Sequence, residues 1–366
     1  MKRLFFKSLV FLLVLFTRPG TAAATPPDLT CEAAVLMDAG TGQVLLAKNP
    51  FWRMHPASLT KIMTAVVALE AGNLRSVATI SERAGYTSEG SILDLHPGER
   101  IRLGELVEAA LVMSANDATV AIGEHVAGDH DLFVRWMNLK AGLLGANRTR
   151  FVNTNGYTHP NHYSTAYDLA LITRYALRNP RFAAIVRQRE AVITWEGGRR
   201  EVISNTNRLL YSDFKGIDGV KTGTTAAAGQ CLIASATRNG RQLIAVVLNS
   251  GARYLDALAL LRYGFEEVHP VVACEKGEFL TRLRVQRGER PDVVVVPART
   301  VRLYLPEEEK GNLVKETRIA VQRLKAPVRP GLKVGEMVFF LEGRELGRVP
   351  LVAGRAVNRL SWYRRG

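Results

Sequence analysis

Ser58 and Lys61 stand three positions apart in "PASLTKIMTA" (56–65). Ile62, Met63, Val66 and Leu69 follow at helical spacing, so the pair opens the inward side of a helix read over 58–72. Positions i and i+3 share a helix face, so Oγ and Nζ can meet. A serine hydroxyl attacks a carbonyl well only when a base takes its proton. Lysine is such a base only if its pKa falls from about 10.4 toward the working pH. Burial and a second cation both push it down. Alone, the pair is weak, because a capping serine followed by a snorkelling lysine has the same spacing.

Two further motifs follow in order, Ser114-Ala115-Asn116 and Lys221-Thr222-Gly223. Lys221 could be the second cation. Gly223 lacks a Cβ, so a substrate backbone could lie against its strand. The N–H groups of Ser58 and Thr224 could together hold an oxyanion. Ser114 and Asn116 would line the opposite wall, where Ser114 can pass a proton and Asn116 can hold a lysine or a substrate amide. Each motif is common by chance; the ordered set is specific.

These residues need a frame. "AAVLMDAGTGQVLLAKN" (33–49) reads as a hairpin about Asp38–Gly42. Helical patterns cover 103–115 and 117–127, broken at the Ser-Ala-Asn, and 165–178, after which Asn179-Pro180 follows. Strands are read at 217–223, 229–237 and 242–249, the last two joined through Asn239-Gly240. A closing helix covers 252–268. From about 271 short apolar runs alternate with turn residues, as in a small all-β sandwich. The expected fold is an α/β (α+β) catalytic domain, helices around an antiparallel sheet, over 25–270, and a β-rich domain over 271–366. The boundary is set near His269-Pro270. The turn-rich stretch 86–101 either frames a cleft or is a surface loop.

The chain has 366 residues, 47% hydrophobic and 23% charged, which suits about two globular domains. "MKRLFFK", "SLVFLLVLF" and "TRPGTAAA" form the pattern of a secretory signal peptide over 1–24, ending at Ala24. The protein is therefore expected to be exported. Residues 271–366 carry 20 basic and 11 acidic side chains, a net +9 of the total +15. Such a tail would draw anionic envelope polymers or lipid headgroups. No zinc-finger or RNP-type motif points to nucleic acid. Cys31, Cys231 and Cys274 have no metal-ligand spacing. Cys231 reads as a buried small hydrophobe, and a Cys31–Cys274 disulfide is open to an exported chain. His159 and His162 lack a third ligand at useful spacing, so neither metal nor cofactor is expected. Asp168 reads as structural.

S-x-x-K with S-D-N and K-T-G is the signature of penicillin-binding proteins and class A β-lactamases, and this chain departs from it at the middle motif, which is S-A-N. The wider strings "ALVMSANDATVAIGEHVAG", "FVNTNGYTHPNHYSTAYDLALI" and "GIDGVKTGTTAAAGQCLIASA" resemble the low-molecular-weight D-alanyl-D-alanine carboxypeptidases, strongly over 33–266 and more loosely in the tail. The resemblance implies that the terminal D-Ala is cut from a peptidoglycan pentapeptide stem through an acyl-enzyme on Ser58. It implies Lys61 as general base, Ser114 as proton carrier, and Lys221 and Thr222 as carboxylate binders. β-Lactams would acylate the same serine. The chain departs from some relatives at Thr206, where they carry arginine. It has no E-x-x-L-N-like stretch between Asn116 and Lys221, unlike a class A β-lactamase. Its end, "AVNRLSWYRRG", is short for the membrane-anchoring helix that such proteins often have. A D,D-endopeptidase and a catalytically idle peptide- or penicillin-binding protein are the alternatives.

Overall fold

The computed structural model describes residues 25–360. The stretch 1–24, which reads as a signal peptide from the sequence, and the final "SWYRRG" lie outside the described residues. The first hairpin pairs β1 (Ala33–Asp38) with β2 (Val44–Lys48), and Asp38 Oδ1 closes its turn by accepting from the backbone N–H of Thr41 at 2.8 Å. A 3₁₀ turn, Ala57–Thr60, then leads into α1 (Lys61–Ala71). The helix thus starts at Lys61, and Ser58 sits in the tighter turn before it.

β3 (Val77–Thr79) pairs with β4 (Arg100–Arg102) across the short α2 (Glu82–Gly85). α3 (Leu103–Val112) and α4 (Asn116–Ala127) are separated at Ser114, as the sequence indicates. α5 (His130–Leu143) is capped by Asp129, whose side chain accepts from the Leu132 N–H. α6 (Ala166–Ala176) is capped by Thr165. Asn179-Pro180, which follows α6, opens α7 (Pro180–Val186), with the Asn179 side chain capping Arg181 and Phe182. Proline suits a first helical turn because its missing N–H has no intrahelical partner there.

A hairpin of β5 (Glu190–Thr194) and β6 (Arg200–Ser204) precedes β7 (Ile217–Thr225), β8 (Gly229–Arg238) and β9 (Arg241–Leu248). Asn239 and Gly240 both take positive φ between β8 and β9, as a two-residue hairpin turn requires. α8 (Arg253–Glu266) closes this part. The central sheet has the order β2-β1-β9-β8-β7 and is antiparallel throughout. Its side chains alternate between two cores. Val35 and Met37 face the layer of α1 and α3–α7, whereas Ala34 and Leu36 face α8. β7 lies at the sheet edge, so one side of its backbone is free to pair.

The remaining strands are β10 (Val268–Cys274), β11 (Thr281–Gln286), β12 (Asp292–Pro297), β13 (Val301–Pro306), β14 (Val314–Ile319), β15 (Arg323–Lys325), β16 (Lys333–Leu341) and β17 (Arg344–Ala353). β10 pairs with β13, and the other six form a sheet of order β14-β16-β17-β12-β11-β15. A core of Leu283, Val293, Val295, Leu303, Phe339 and Leu351 fills the space between the two. The tail is all-β, as expected. His269 and Pro270 lie within β10, opposite Leu305 and Tyr304. The Gln43 side chain hooks the two parts together. Its Nε2 donates to the Tyr304 carbonyl at 2.7 Å, and its Oε1 accepts from the Tyr304 N–H at 2.9 Å.

The three cysteines are buried free thiols. Cys31 belongs to the α8-side core and Cys274 to the tail core, so the disulfide considered between them is not formed. Among the described residues no helix is long and apolar enough to cross a membrane.

Candidate active site

Ser58 is held by backbone packing on both sides. Ala57 takes φ +48°, and its carbonyl lies so near Gly156 that a Cβ there would sit 1.9 Å from the oxygen. On the other side Gly223 of β7 approaches so closely that a Cβ would stand 3.1 Å from the Ser58 nitrogen. Glycine is thus required at 156, and at 223 a side chain would press on the Ser58 turn. The Ser58 N–H is brought beside the sheet edge, as a two-amide oxyanion hole with Thr224 needs.

No side-chain cap is formed in the 3₁₀ turn or at the start of α1, so Ser58 is not a capping serine. Its Oγ instead accepts from Lys61 Nζ at 2.8 Å. Lys61 is fully buried, and its Nζ also donates to Asn116 Oδ1 at 2.7 Å and to the Asn155 carbonyl at 2.8 Å. None of these partners carries a charge. Burial first, and then the field of Lys221, hold the Lys61 pKa well below the ordinary lysine value, and Asp117 opposes them. Without its third proton the amine keeps two N–H bonds, for Asn116 Oδ1 and the Asn155 carbonyl, and turns its lone pair to the Ser58 hydroxyl, which then donates to Nζ; that is the arrangement a general base requires.

Asn116 opens α4, and its Nδ2 donates to the Glu89 carbonyl at 2.6 Å. Ser114, in the break before it, takes φ +71° and lines the same cleft. Lys221 is buried in β7, with Nζ 3.2 Å from the Thr222 carbonyl. Burial, and then Arg253, push its pKa down to about 7. Thr222 Oγ1 donates to Thr206 Oγ1 at 2.6 Å. The cleft measures about 740 Å³ and is lined by Ser58, Ser114, Asn116, Thr222, Gly223 and Thr224 among others. Every catalytic or substrate-binding residue expected from the sequence, except the two buried lysines, lines it, and Lys61 bonds to three residues of that lining.

Sequence reasoning missed two parts of this cleft. Arg253, the first residue of α8, lines it and donates through Nη1 to Thr224 Oγ1 at 2.8 Å and the Gly223 carbonyl at 3.1 Å. Its Nε is buried with no partner. Tyr157 lines the other side, and its hydroxyl donates to the Glu89 carbonyl at 2.7 Å. Glu89, Gly90 and Ser91 show that the 86–101 stretch does frame the cleft.

Other candidates have structural partners. Asp168 Oδ2 accepts from the Arg148 N–H and the Thr149 hydroxyl, each at 2.8 Å. His162 is buried against Thr60 Oγ1 at 2.9 Å, and its Nδ1 receives the Val152 N–H at 3.3 Å. Burial, and then His55 and His159, drive its pKa down to about 3. Among the described residues no group of three or more His, Cys, Asp or Glu is placed to hold a metal ion.

A serine hydroxyl bonded to a buried lysine at the edge of an antiparallel sheet is an arrangement suited to covalent acyl transfer. The profile of the family described as D-alanyl-D-alanine carboxypeptidase matches residues 20–252, and that of the penicillin-binding protein 5 C-terminal domain matches 267–359. The chain is 31% identical to the D-alanyl-D-alanine carboxypeptidase DacF of Bacillus subtilis, over 96% of this chain and 94% of that protein. It is 32% identical to DacC of Escherichia coli, over 93% and 87%. Among solved structures, penicillin binding protein 5 from Haemophilus influenzae superposes with a TM-score of 0.78 at 31% identity, covering 92% of this chain and 99% of that one. The chain belongs to the D-alanyl-D-alanine carboxypeptidase family.

Proposed function

We infer that this protein is a serine D-Ala-D-Ala carboxypeptidase that removes the terminal D-alanine from peptidoglycan stem peptides and is acylated by β-lactams. The observation that carries this reading is Lys61, buried among neutral partners with its Nζ on Ser58 Oγ. Neutral Lys61 takes the Ser58 proton as Oγ adds to the carbonyl carbon of the scissile bond. The N–H groups of Ser58 and Thr224 receive the charge that develops on the carbonyl oxygen. As the C–N bond breaks, Ser114 hands its proton to the departing D-Ala amine and takes one in return from the Lys61 ammonium, which leaves Lys61 neutral again. Water then attacks the ester and regenerates Ser58.

Thr222 and Thr224, with the charges of Lys221 and Arg253, receive the terminal carboxylate. Arg253 supplies the positive charge that Thr206 does not. Its unpartnered Nε and its contacts with Thr224 support that assignment.

The organisation we propose is a leader over 1–24, a catalytic unit to about residue 270 and a β-rich tail beyond it. The leader pattern and a substrate outside the cytoplasm support work at the cell envelope. The net +9 of residues 271–366 supports contact between the tail and an anionic envelope surface. Sedimentation with anionic vesicles should fall as salt rises; binding that ignores salt removes the electrostatic reading.

The test of the activity is the intact mass of the leaderless protein after exposure to penicillin, beside Ser58→Ala, followed by D-Ala release from a peptide ending in D-Ala-D-Ala. One adduct on the wild type alone, with D-Ala release, is the expected result. No adduct on the folded wild type means that Ser58 is not activated, and the reading fails.

A further inference from the structure

Glu89 is the one acidic side chain among the described residues that lines the cleft. Its carbonyl is fixed from two sides, by Asn116 Nδ2 at 2.6 Å and by the Tyr157 hydroxyl at 2.7 Å. Its carboxylate takes no hydrogen bond or ion pair from any described residue, and the residue is exposed. The doubly tied backbone anchors the residue on the rim, and its free side chain carries a negative charge there. The Tyr157 hydroxyl registers it: burial, and then the Glu89 charge, raise its pKa.

The charges in the cleft are therefore sorted. Lys221 lies in β7, and Arg253 bonds to it at Gly223 and Thr224. Glu89 is fixed to the wall of Asn116 and Tyr157. A peptide whose terminal carboxylate is held at β7 and whose scissile carbonyl is at Ser58 leaves along that second wall. The residue just before D-Ala-D-Ala is the first upstream side chain that is not a methyl group. We propose that Glu89 selects stem peptides in which this residue carries a free side-chain amine, by pairing with its ammonium. The inference rests on the carboxypeptidase reading above.

The test uses two peptides of the form N-acyl-Lys-D-Ala-D-Ala, one with the lysine ε-amine free and one with it acetylated. The wild type should favour the free amine by about three- to fivefold in kcat/KM, the range of an exposed ion pair. The preference should shrink as salt rises. Glu89→Gln should bring the two peptides within about twofold of each other, Glu89→Asp should keep part of the preference, and Glu89→Lys should reverse it. A preference unchanged in Glu89→Gln, or absent from the wild type, overturns the proposal and leaves the carboxypeptidase standing. No D-Ala release from either peptide overturns both.

Discussion

Lys61 and Asn116 meet in one 2.7 Å hydrogen bond, Nζ to Oδ1, inside the protein. It ties the first residue of α1 to the first residue of α4. A carboxamide orients the amine without favouring its charged form, whereas a carboxylate there would hold the proton on Lys61. Asn116→Asp is nearly the same size. It should cut acylation at neutral pH by about 10²-fold, within the range for loss of a general base. The rising limb of the pH profile should also move to higher pH. An unshifted limb would show that Asn116 only shapes the wall.

The proposed mechanism needs opposite protonation states of the two lysines in the free enzyme. Lys61 must be neutral, and Lys221 must be charged to attract a carboxylate. With Lys61 held well down and Lys221 at about 7, kcat/KM should be bell-shaped, falling as pH rises through about 7. Arginine does not lose its proton in this range. Lys221→Arg should therefore lower the maximum but remove the falling limb. A falling limb kept at the same pH would assign it to another group.

Arg253 gives a test on the substrate side. Hydrogen bonds to charged groups contribute about 1.5–3 kcal/mol. Arg253→Gln should therefore raise KM by about 10- to 100-fold for peptides ending in a free carboxylate. Peptides ending in an amide should change little. Equal losses on both would point to a packing role for Arg253 at the start of α8.

His162 ties acid stability to the turn that carries Ser58. Its folded pKa of about 3 lies below the unfolded value of 6.5, so the unfolded chain binds more protons between those limits. The stability it supports is present above pH 6.5 and is lost as pH falls toward about 3. The loss is on the order of 5 kcal/mol. His162→Gln should flatten that acid limb in urea melts taken from pH 7 to pH 3. An unchanged slope would mean that another group takes up the proton.

The chemistry was more legible than its surroundings. Ser58 and Lys61 could be read because their partnership is local, three residues apart on one turn. The β8–β9 hairpin could be read because Asn239-Gly240 names its own turn type. Arg253 could not: it lies 32 positions beyond Lys221, and an arginine at a helix start looks like any exposed cation. Only the closing of α8 against the sheet brings it to Thr224. α5 is not among the helices legible in the sequence, although Asp129 caps it and Phe133, Val134, Met137 and Ala141 mark its buried face. Asn179-Pro180 reads from sequence only as the sequel to α6, because the same pair that breaks one helix also starts another.

The hook between Gln43 and Tyr304 has a mechanical meaning. One side-chain amide offers a donor and an acceptor to one backbone residue, as a neighbouring strand would. Under a sideways pull the two bonds carry the load together and must yield together. The joint resists sliding more than peeling, so a force that drags the tail along its own strands would reach the catalytic sheet through β2's connection to β1 before the joint slips.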